Sequence, residues 1–291
     1  GRSGYQFARF IASLGFTGIQ LGPQGRTSRD NPSPYDGTAF SRGFLSISFP
    51  QLKNDPEWSG LVDEAELDAA VARAAGAPEN RTQYQLAFDS QARLCELAHE
   101  RFRHERAAGR IDTRDFDAFR ERNRYWLHAD AIYDALSREY GTTDWRSWSG
   151  PHARLDRRLF CPAAEEYEDA QRRREGLRTR HANEIERYEL IQYLAHHQHQ
   201  VFHKRAGDLG LAIYADLQVG LSLRDRWRLQ PLFLQGYLLG APPSRTNREG
   251  QPWGYPILDP ENYHRDSVAG TGTGYLSARA DKLFTDFDGV R

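Results

Sequence analysis

Leu211-Ala212-Ile213-Tyr214-Ala215-Asp216 is the stretch on which the fold turns. Its five mostly apolar residues read as a short buried strand, and a carboxylate follows at the carboxyl end. Upstream, 181–206 reads as one long helix, ended by Gly207-Asp208-Leu209-Gly210. The same helix–turn–strand order occurs near the start of the chain. Phe7, Phe10, Ile11 and Leu14 recur at helical spacing, Gly15 ends that helix, and 16–21 is a short apolar strand closed by Gly22-Pro23. At the other end, a helix near 277–284 leads into a strand over 287–291. Helix, tight turn and buried strand together are the grammar of a βα-repeat protein.

Between these repeats the composition changes. The segment 61–180 is rich in Ala, Arg and Glu and poor in strand formers. It reads as amphipathic helices over 64–75, 81–107, 115–140 and 165–180, with Asp63, Thr113 and Asp115 as helix-start residues. Two stretches read as long loops: 27–43, rich in Ser, Pro, Asn, Asp and Gly, and 236–260, rich in Pro and Gly. The expected class is α/β: an incomplete (β/α)8 TIM barrel with a mostly helical insertion. Early barrel units and a loop fill 1–60, the insertion 61–180, and the barrel continuation 181–291. About four or fewer of a barrel's eight strands are accounted for.

Bulk properties exclude several classes. The 291 residues are 39% hydrophobic and 12% aromatic, enough for a sizeable core, so composition does not predict disorder. Charged residues make 27%, yet the net charge is -1, so no global field points to nucleic acid or to an anionic membrane. No apolar run approaches the ~20 residues of a membrane span. Cys95 and Cys161 form no disulfide framework or metal spacing, which fits a reducing, cytoplasmic setting. With Gly1 first, no Met anywhere and a strand still open at Arg291, both ends read as cut.

Asp216 is the most informative residue, because barrel enzymes place catalytic groups just past strand carboxyl ends. It reads equally well as a cap for the next segment. In Asn31-Pro32-Ser33-Pro34-Tyr35-Asp36-Gly37, prolines stiffen a loop that projects one aromatic among polar groups, which suits a sugar's apolar face and polar rim. Gly250-Gln251-Pro252-Trp253-Gly254-Tyr255-Pro256 sets an indole between glycines, free to lie flat on a ligand. A surface tyrosine and a tryptophan folded over a barrel are the plainer readings. His196, His197, His199 and His203 share one helix, but no third or fourth ligand completes a zinc set, so they read as a solvated polar face. Arg172-Arg173-Arg174 is flanked by acids and reads likewise.

In order and spacing these segments resemble glycoside hydrolase family 77, the 4-α-glucanotransferases. The resemblance runs through Gly15–Pro23, Ser33-Pro34-Tyr35 with Ala39-Phe40-Ser41-Arg42-Gly43, and Arg187-Tyr188 to Gln198. It continues through Ile213-Tyr214-Ala215-Asp216-Leu217 with Val219-Gly220, Gly240-Ala241-Pro242-Pro243 with Gly250–Pro256, and Asp288-Gly289-Val290-Arg291. It covers nearly all of the chain except the helical insertion. Tyr255 and Ser244 depart from the family pattern.

The resemblance implies a retaining transfer of α-1,4-glucan between maltooligosaccharides, with no cofactor and no metal. It implies that Ser33, Tyr35 and Trp253 contact glucan, that Asp216 holds the reacting glucose, and that Arg291 neighbours the nucleophile. The nucleophile itself would fall two positions beyond Arg291, and the acid/base later still, so the fragment alone is expected to be inactive. Rival readings are an α-amylase-type hydrolase, a non-catalytic glucan-binding protein, and a helical scaffold with nucleic-acid affinity. The glucanotransferase reading requires Tyr35, Asp216, Trp253 and Arg291 to gather at one rim of the strands.

Overall fold

The computed structural model describes residues 2–78, 80–265, 268–269 and 271–291. Helix α1 (Arg2–Ser13) leads through a Gly15 turn into strand β1 (Gly18–Gln20). A long loop carries 3-10 turns at Pro34–Asp36 and Phe44–Ser46 and descends through α2 (Phe49–Leu52) into the helical region. There follow α3 (Glu64–Ala75), α4 (Tyr84–Ala107), α5 (Arg114–Arg122), α6 (Arg124–Glu139), α7 (Ala153–Asp156) and α8 (Tyr167–Arg180). The 26-residue α9 (Ala182–Gly207) returns the chain to strand β2 (Ala212–Ala215). After α10 (Leu223–Arg228), β3 (Phe233–Ala241) and β4 (Gln251–Leu258) form a hairpin. The short pair β5 (His264–Arg265) and β6 (Val268–Ala269), α11 (Thr271–Asp286) and β7 (Gly289–Val290) complete the order.

Strands β1, β2 and β7 form one parallel sheet in the order β1-β2-β7. Gly18 pairs with Ala212 and Gln20 with Tyr214, while Tyr214 pairs with Gly289 and Ala215 with Val290. The Tyr214 ring lies across both neighbouring strands, and only glycine leaves it room. A Cβ on Gly18 or on Gly289 would come within 2.8 Å of that ring. The fold is therefore α/β, with a three-stranded parallel sheet and a large helical body.

Two apolar cores divide the work of stabilisation. The larger fills the helical body, where Trp58, Phe102, Phe116, Trp126, Trp148 and Trp227 are almost fully buried. The smaller sits under the sheet and consists of Ala8, Ala206, Leu211, Ile213, Ala215 and Phe287. Helix α9 contributes to both: Ile185, Tyr188, Leu190, Ile191 and Leu194 to the first, Ala206 to the second. No helix among the described residues is long and apolar enough to cross a membrane.

Side-chain caps begin two of the helices, α3 at Asp63 and α10 at Ser222. Asp63 caps α3 by accepting from the Ala65 amide at 2.9 Å. Thr113 sits at the α5 cap position, but its hydroxyl donates to Asp117 at 2.9 Å and caps no backbone amide. The helix expected over 115–140 is two helices, broken at Asn123 (φ −103°, ψ 8°), whose side chain accepts from the Trp126 indole at 3.0 Å.

The stretch expected as a loop over 236–260 is mostly the β3–β4 hairpin. Pro252 and Pro256 misled the reading, because proline is excluded from sheet interiors. In a two-stranded ribbon every strand is an edge, so a missing N–H there breaks no third-strand pairing. The four helix histidines correct a second expectation, since they are not a solvated face. His197 meets Asp55 at 3.0 Å, His199 Nε2 donates to the Asp286 carbonyl at 2.7 Å, and His203 meets Asp288 at 2.9 Å. Together with buried His196 they fasten α9 to the loops and to the α11–β7 junction. Among the described residues no three His, Cys, Asp or Glu side chains converge as a metal site would need.

Candidate active site

Because β2 and β7 run side by side in parallel, the residues just past their carboxyl ends become neighbours. These are Asp216 and Arg291. Arg291 Nε donates to Asp216 Oδ1 at 3.0 Å, and Nη2 donates to Oδ2 at 3.2 Å. This is a two-pronged, charge-assisted contact. The ladder continues on either side of it: the Arg291 amide donates to the Ala215 carbonyl at 2.9 Å, and the Leu217 amide to the Arg291 carbonyl at 3.0 Å. The Asp216 side chain is 7% exposed and that of Arg291 69%. A fixed carboxylate thus sits beneath a cation that faces solvent.

Asp216 lines a small hollow of about 40 Å³ together with Gly22, Thr38, Arg42 and Arg279. A void of that size holds water but not a sugar ring. Any larger ligand must lie on the open rim above it.

The loop after β1 is sewn to the segment after β2. Gln218 Nε2 donates to the Gly37 carbonyl at 2.5 Å, the Ala39 amide donates to Asp225 Oδ2 at 3.0 Å, and Arg279 donates to the Gln218 carbonyl at 2.8 Å. Gly220 marks the closest approach. A Cβ there would fall 2.4 Å from the Tyr35 carbonyl oxygen and 2.7 Å from Tyr255 Cζ. Three segments therefore meet at one glycine: the Tyr35 turn, the β2 exit and the β3–β4 hairpin.

Tyr35 lies in the Pro34–Asp36 turn and is half exposed. Ser33 precedes that turn, its amide donating to Asn31 Oδ1 at 3.0 Å. Burial pushes Asp36 up, but hydrogen bonds from Tyr255, Asn31 and Ser33 and the nearby Arg226 outweigh it, leaving Asp36 below the usual carboxylate value. In return the hydrogen bond to Asp36, and then burial, raise the Tyr255 hydroxyl above its ordinary value. Tyr255 thus couples electrostatically to Asp36, and its ring meets the Tyr35 turn at Gly220. Arg226 supports it, with its guanidinium carbon 5.8 Å from the centre of the Tyr255 ring.

Trp253 is half exposed on β4, two residues before Tyr255. Among the described residues no hydrogen bond or ring contact joins it to Tyr35, Asp216 or Arg291. Asp216 and Arg291 are thus in direct contact, the Ser33–Tyr35 turn is joined to the same rim through Gly220, and Trp253 is joined only through the hairpin.

Behind Asp216 lies a buried charged cluster that sequence reasoning did not single out. Arg42 pairs with Asp286 at 2.9 Å, Lys282 hydrogen-bonds Asp286, and Arg42 and Lys282 approach His196 Nδ1 at 3.2 and 3.3 Å. Burial lowers Lys282 to about 8 and lowers Arg42 and His196 as well. For Asp286 burial acts upward, but His196, Arg42 and Lys282 together hold it well below the usual carboxylate range. Gln192 clamps the Arg42 backbone from α9, accepting from its amide at 2.7 Å and donating to its carbonyl at 3.0 Å. The spacing of Lys282 and Asp286 is ordinary for an exposed helix pair, so it carried no signal. Asp36 and Tyr255 stood inside motifs already noted, beside the aromatics that drew the attention.

Known proteins resemble the chain along most of its length. The family profile described as 4-alpha-glucanotransferase matches residues 1–270. A 4-alpha-glucanotransferase of Mycobacterium tuberculosis is 30% identical over 244 residues, covering 82% of this chain and 31% of the relative. One from Aquifex aeolicus is 24% identical over 281 residues, covering 91% and 50%. Amylomaltase from Streptococcus agalactiae, solved in complex with acarbose, superposes with a TM-score of 0.80 at 22% identity, covering all of this chain and 54% of that one. The chain thus spans about a third to a half of the length of the relatives it matches. At that identity the structural match speaks for the fold alone.

Proposed function

The chain belongs to the 4-alpha-glucanotransferases of glycoside hydrolase family 77, and on that premise we propose that its whole protein transfers α-1,4-glucan segments between maltooligosaccharides by double displacement. One carboxylate attacks the anomeric carbon of the donor glucan and forms a covalent glucosyl-enzyme. A carboxylic acid gives its proton to the departing glycosidic oxygen. An acceptor hydroxyl then returns a proton to that carboxylate as it attacks, so the configuration is retained. Transfer outruns hydrolysis where acceptor sugar is held and water excluded.

The observation that carries this reading is the Arg291–Asp216 fork at the carboxyl ends of two adjacent parallel strands. In the proposal Asp216 hydrogen-bonds the reacting glucose. Arg291 neighbours the attacking carboxylate and keeps it ionised, because a nearby cation favours the charged form. Ser33 and Tyr35 contact the glucan near the cleaved bond, and Trp253 on the hairpin lies against its ring face. The three parallel strands then belong to an incomplete (β/α)8 barrel, with 1–60 and 181–291 as barrel parts and 61–180 as the helical insertion. The position of Asp216 and Arg291 just past the carboxyl ends of adjacent strands supports this, since barrel enzymes keep their sites at that end of the strands.

The test is product analysis of the whole protein given maltotriose. A ladder of longer maltodextrins with release of glucose is the expected result. Shortening alone would mean a hydrolase, and no change in the sugar would leave only a binding role.

A further inference from the structure

A second and larger cleft opens on the opposite side of the buried Arg42–Asp286–Lys282 cluster. It encloses about 370 Å³, at the small end of the ~300–1,000 Å³ typical of ligand pockets. Helices α5, α6, α9 and α11 form its walls. Lys282 and Asp286 line both this cleft and the small hollow under Asp216, so they make a shared partition.

The floor is aromatic and contains one buried ring nitrogen without a partner. His196 is 4% exposed and packs against Phe119, with ring centres 5.2 Å apart. Its Nδ1 accepts from Arg42 Nε at 3.2 Å and lies 3.3 Å from Lys282 Nζ and 3.8 Å from Asp286 Oδ1. Its Nε2 is buried and has no hydrogen-bond partner among the described residues. At the mouth stand Asp115, Arg122, Gln200 and Asp281, none with a side-chain partner among the described residues, beside the half-exposed ring of Tyr125.

We propose that this second cleft is a binding site for a short neutral saccharide of one or two rings. Three features select that chemistry. The half-exposed aromatic ring of Tyr125 suits the C–H face of a pyranose. Carboxylates, an amide and a guanidinium around the mouth suit its hydroxyls. The charges of Asp115, Asp281 and Asp286 against those of Arg122 and Lys282 are near balance, so neither an anion nor a cation is favoured. This inference does not rest on the transferase reading, because the cleft is complete without Asp216, Tyr35 or Trp253.

The test is calorimetric titration of the whole protein with maltose, with glucose 6-phosphate as the charged comparison. The background is an Asp216→Asn variant, which disables the first site. Maltose should bind in that background, and Tyr125→Ala with Asp281→Ala should weaken it at least tenfold. Both changes are at the surface, so an unchanged melting curve shows that the fold is kept. Loss of all maltose binding on Asp216→Asn alone would overturn the proposal. So would a preference for the phosphate, or binding indifferent to the Tyr125 and Asp281 changes. Failure of the transferase assay would leave this result standing, so the two readings fail separately.

Discussion

The guanidinium of Arg291 forks onto the carboxylate of Asp216 across two adjacent parallel strands, at 3.0 and 3.2 Å. Neither residue is near the other in sequence; the pairing of Ala215 with Val290 brings them level. Arg291→Lys keeps the charge but loses the fork. Transfer activity on maltotriose should fall at least tenfold, while Asp216→Asn should cost about 100-fold or more, in line with loss of a charge-assisted contact worth up to ~3 kcal/mol. Steady-state kcat/KM measures both. A variant of either kind with unaltered kcat/KM would remove the pair from the reaction.

Gly220→Ala places a methyl group against the Tyr35 carbonyl and the Tyr255 ring at distances no relaxed Cβ adopts. The backbone and hairpin must separate to admit it. The expected outcome is a folded protein whose KM for maltotriose rises about tenfold, on the order of 1.4 kcal/mol of lost glucan contact. Parallel melting curves distinguish this from simple unfolding.

Tyr255→Phe removes the hydroxyl that lowers Asp36 and leaves the ring beside Gly220. The hairpin should loosen, and glucan affinity should drop several-fold. Asp36 is lowered in the folded protein, so its coupling to Tyr255 is intact above the ordinary carboxylate pKa and is lost as pH falls through the depressed value. Affinity measured by fluorescence titration should fall off in acid for the native protein, and Tyr255→Phe should flatten that limb.

Glu186 gives a stability test away from the site. Burial pushes it up, but His99 at 3.1 Å and Arg106 at 2.6 Å outweigh that and leave it at about 2, from an ordinary 4.5. A lowered carboxylate adds stability that is complete above 4.5 and disappears as pH descends toward 2. Glu186→Gln should therefore flatten the acid limb of the stability curve between those values, by on the order of 2 kcal/mol. Denaturant midpoints across pH 2–6 provide the measurement, and an acid limb unchanged by the substitution would refute it.

Asp286→Ala strands Arg42 and Lys282 without their shared anion in a buried place. Removing one partner of such a cluster costs about 3–5 kcal/mol. Replacing all three together, with Arg42→Met, Lys282→Met and Asp286→Leu, should recover most of the loss. Urea midpoints decide it; a single change that costs under ~1 kcal/mol would mean the cluster is not electrostatically tight.

Local signals carried the reading a long way. Helix α3 begins at a cap that Asp63 announces, and the strand at Ala212–Ala215 stood out as an apolar run between a glycine turn and a carboxylate. What local pattern cannot express is which surfaces meet. Asn123 interrupts a helical period without a glycine or proline, because its side chain serves the Trp126 indole instead of the helix. The β3–β4 hairpin is written in prolines and glycines and so looks like a loop until its pairing is known. His196 looked like one of four surface histidines, and only the arrival of Arg42 and Lys282, both far away in sequence, makes it a buried neutral ring. At the site, residue type revealed the carboxylate and the aromatics, while Asp36, Gln218 and Gly220 acquire their roles only through contact.

Helix α9 is a rod of about 39 Å, at 1.5 Å per residue over 26 residues. One end is embedded among the tryptophans and phenylalanines of the helical body, the other under the sheet, and midway Gln192 grips the backbone of Arg42. That makes it a mechanical axle. A change in side-chain volume far out in the helical body can swing the rod, displace Arg42, and re-aim the floor on which Asp216 rests, without touching a residue at the rim. The shape of the rim can therefore drift through remote repacking while every side chain that lines it stays the same.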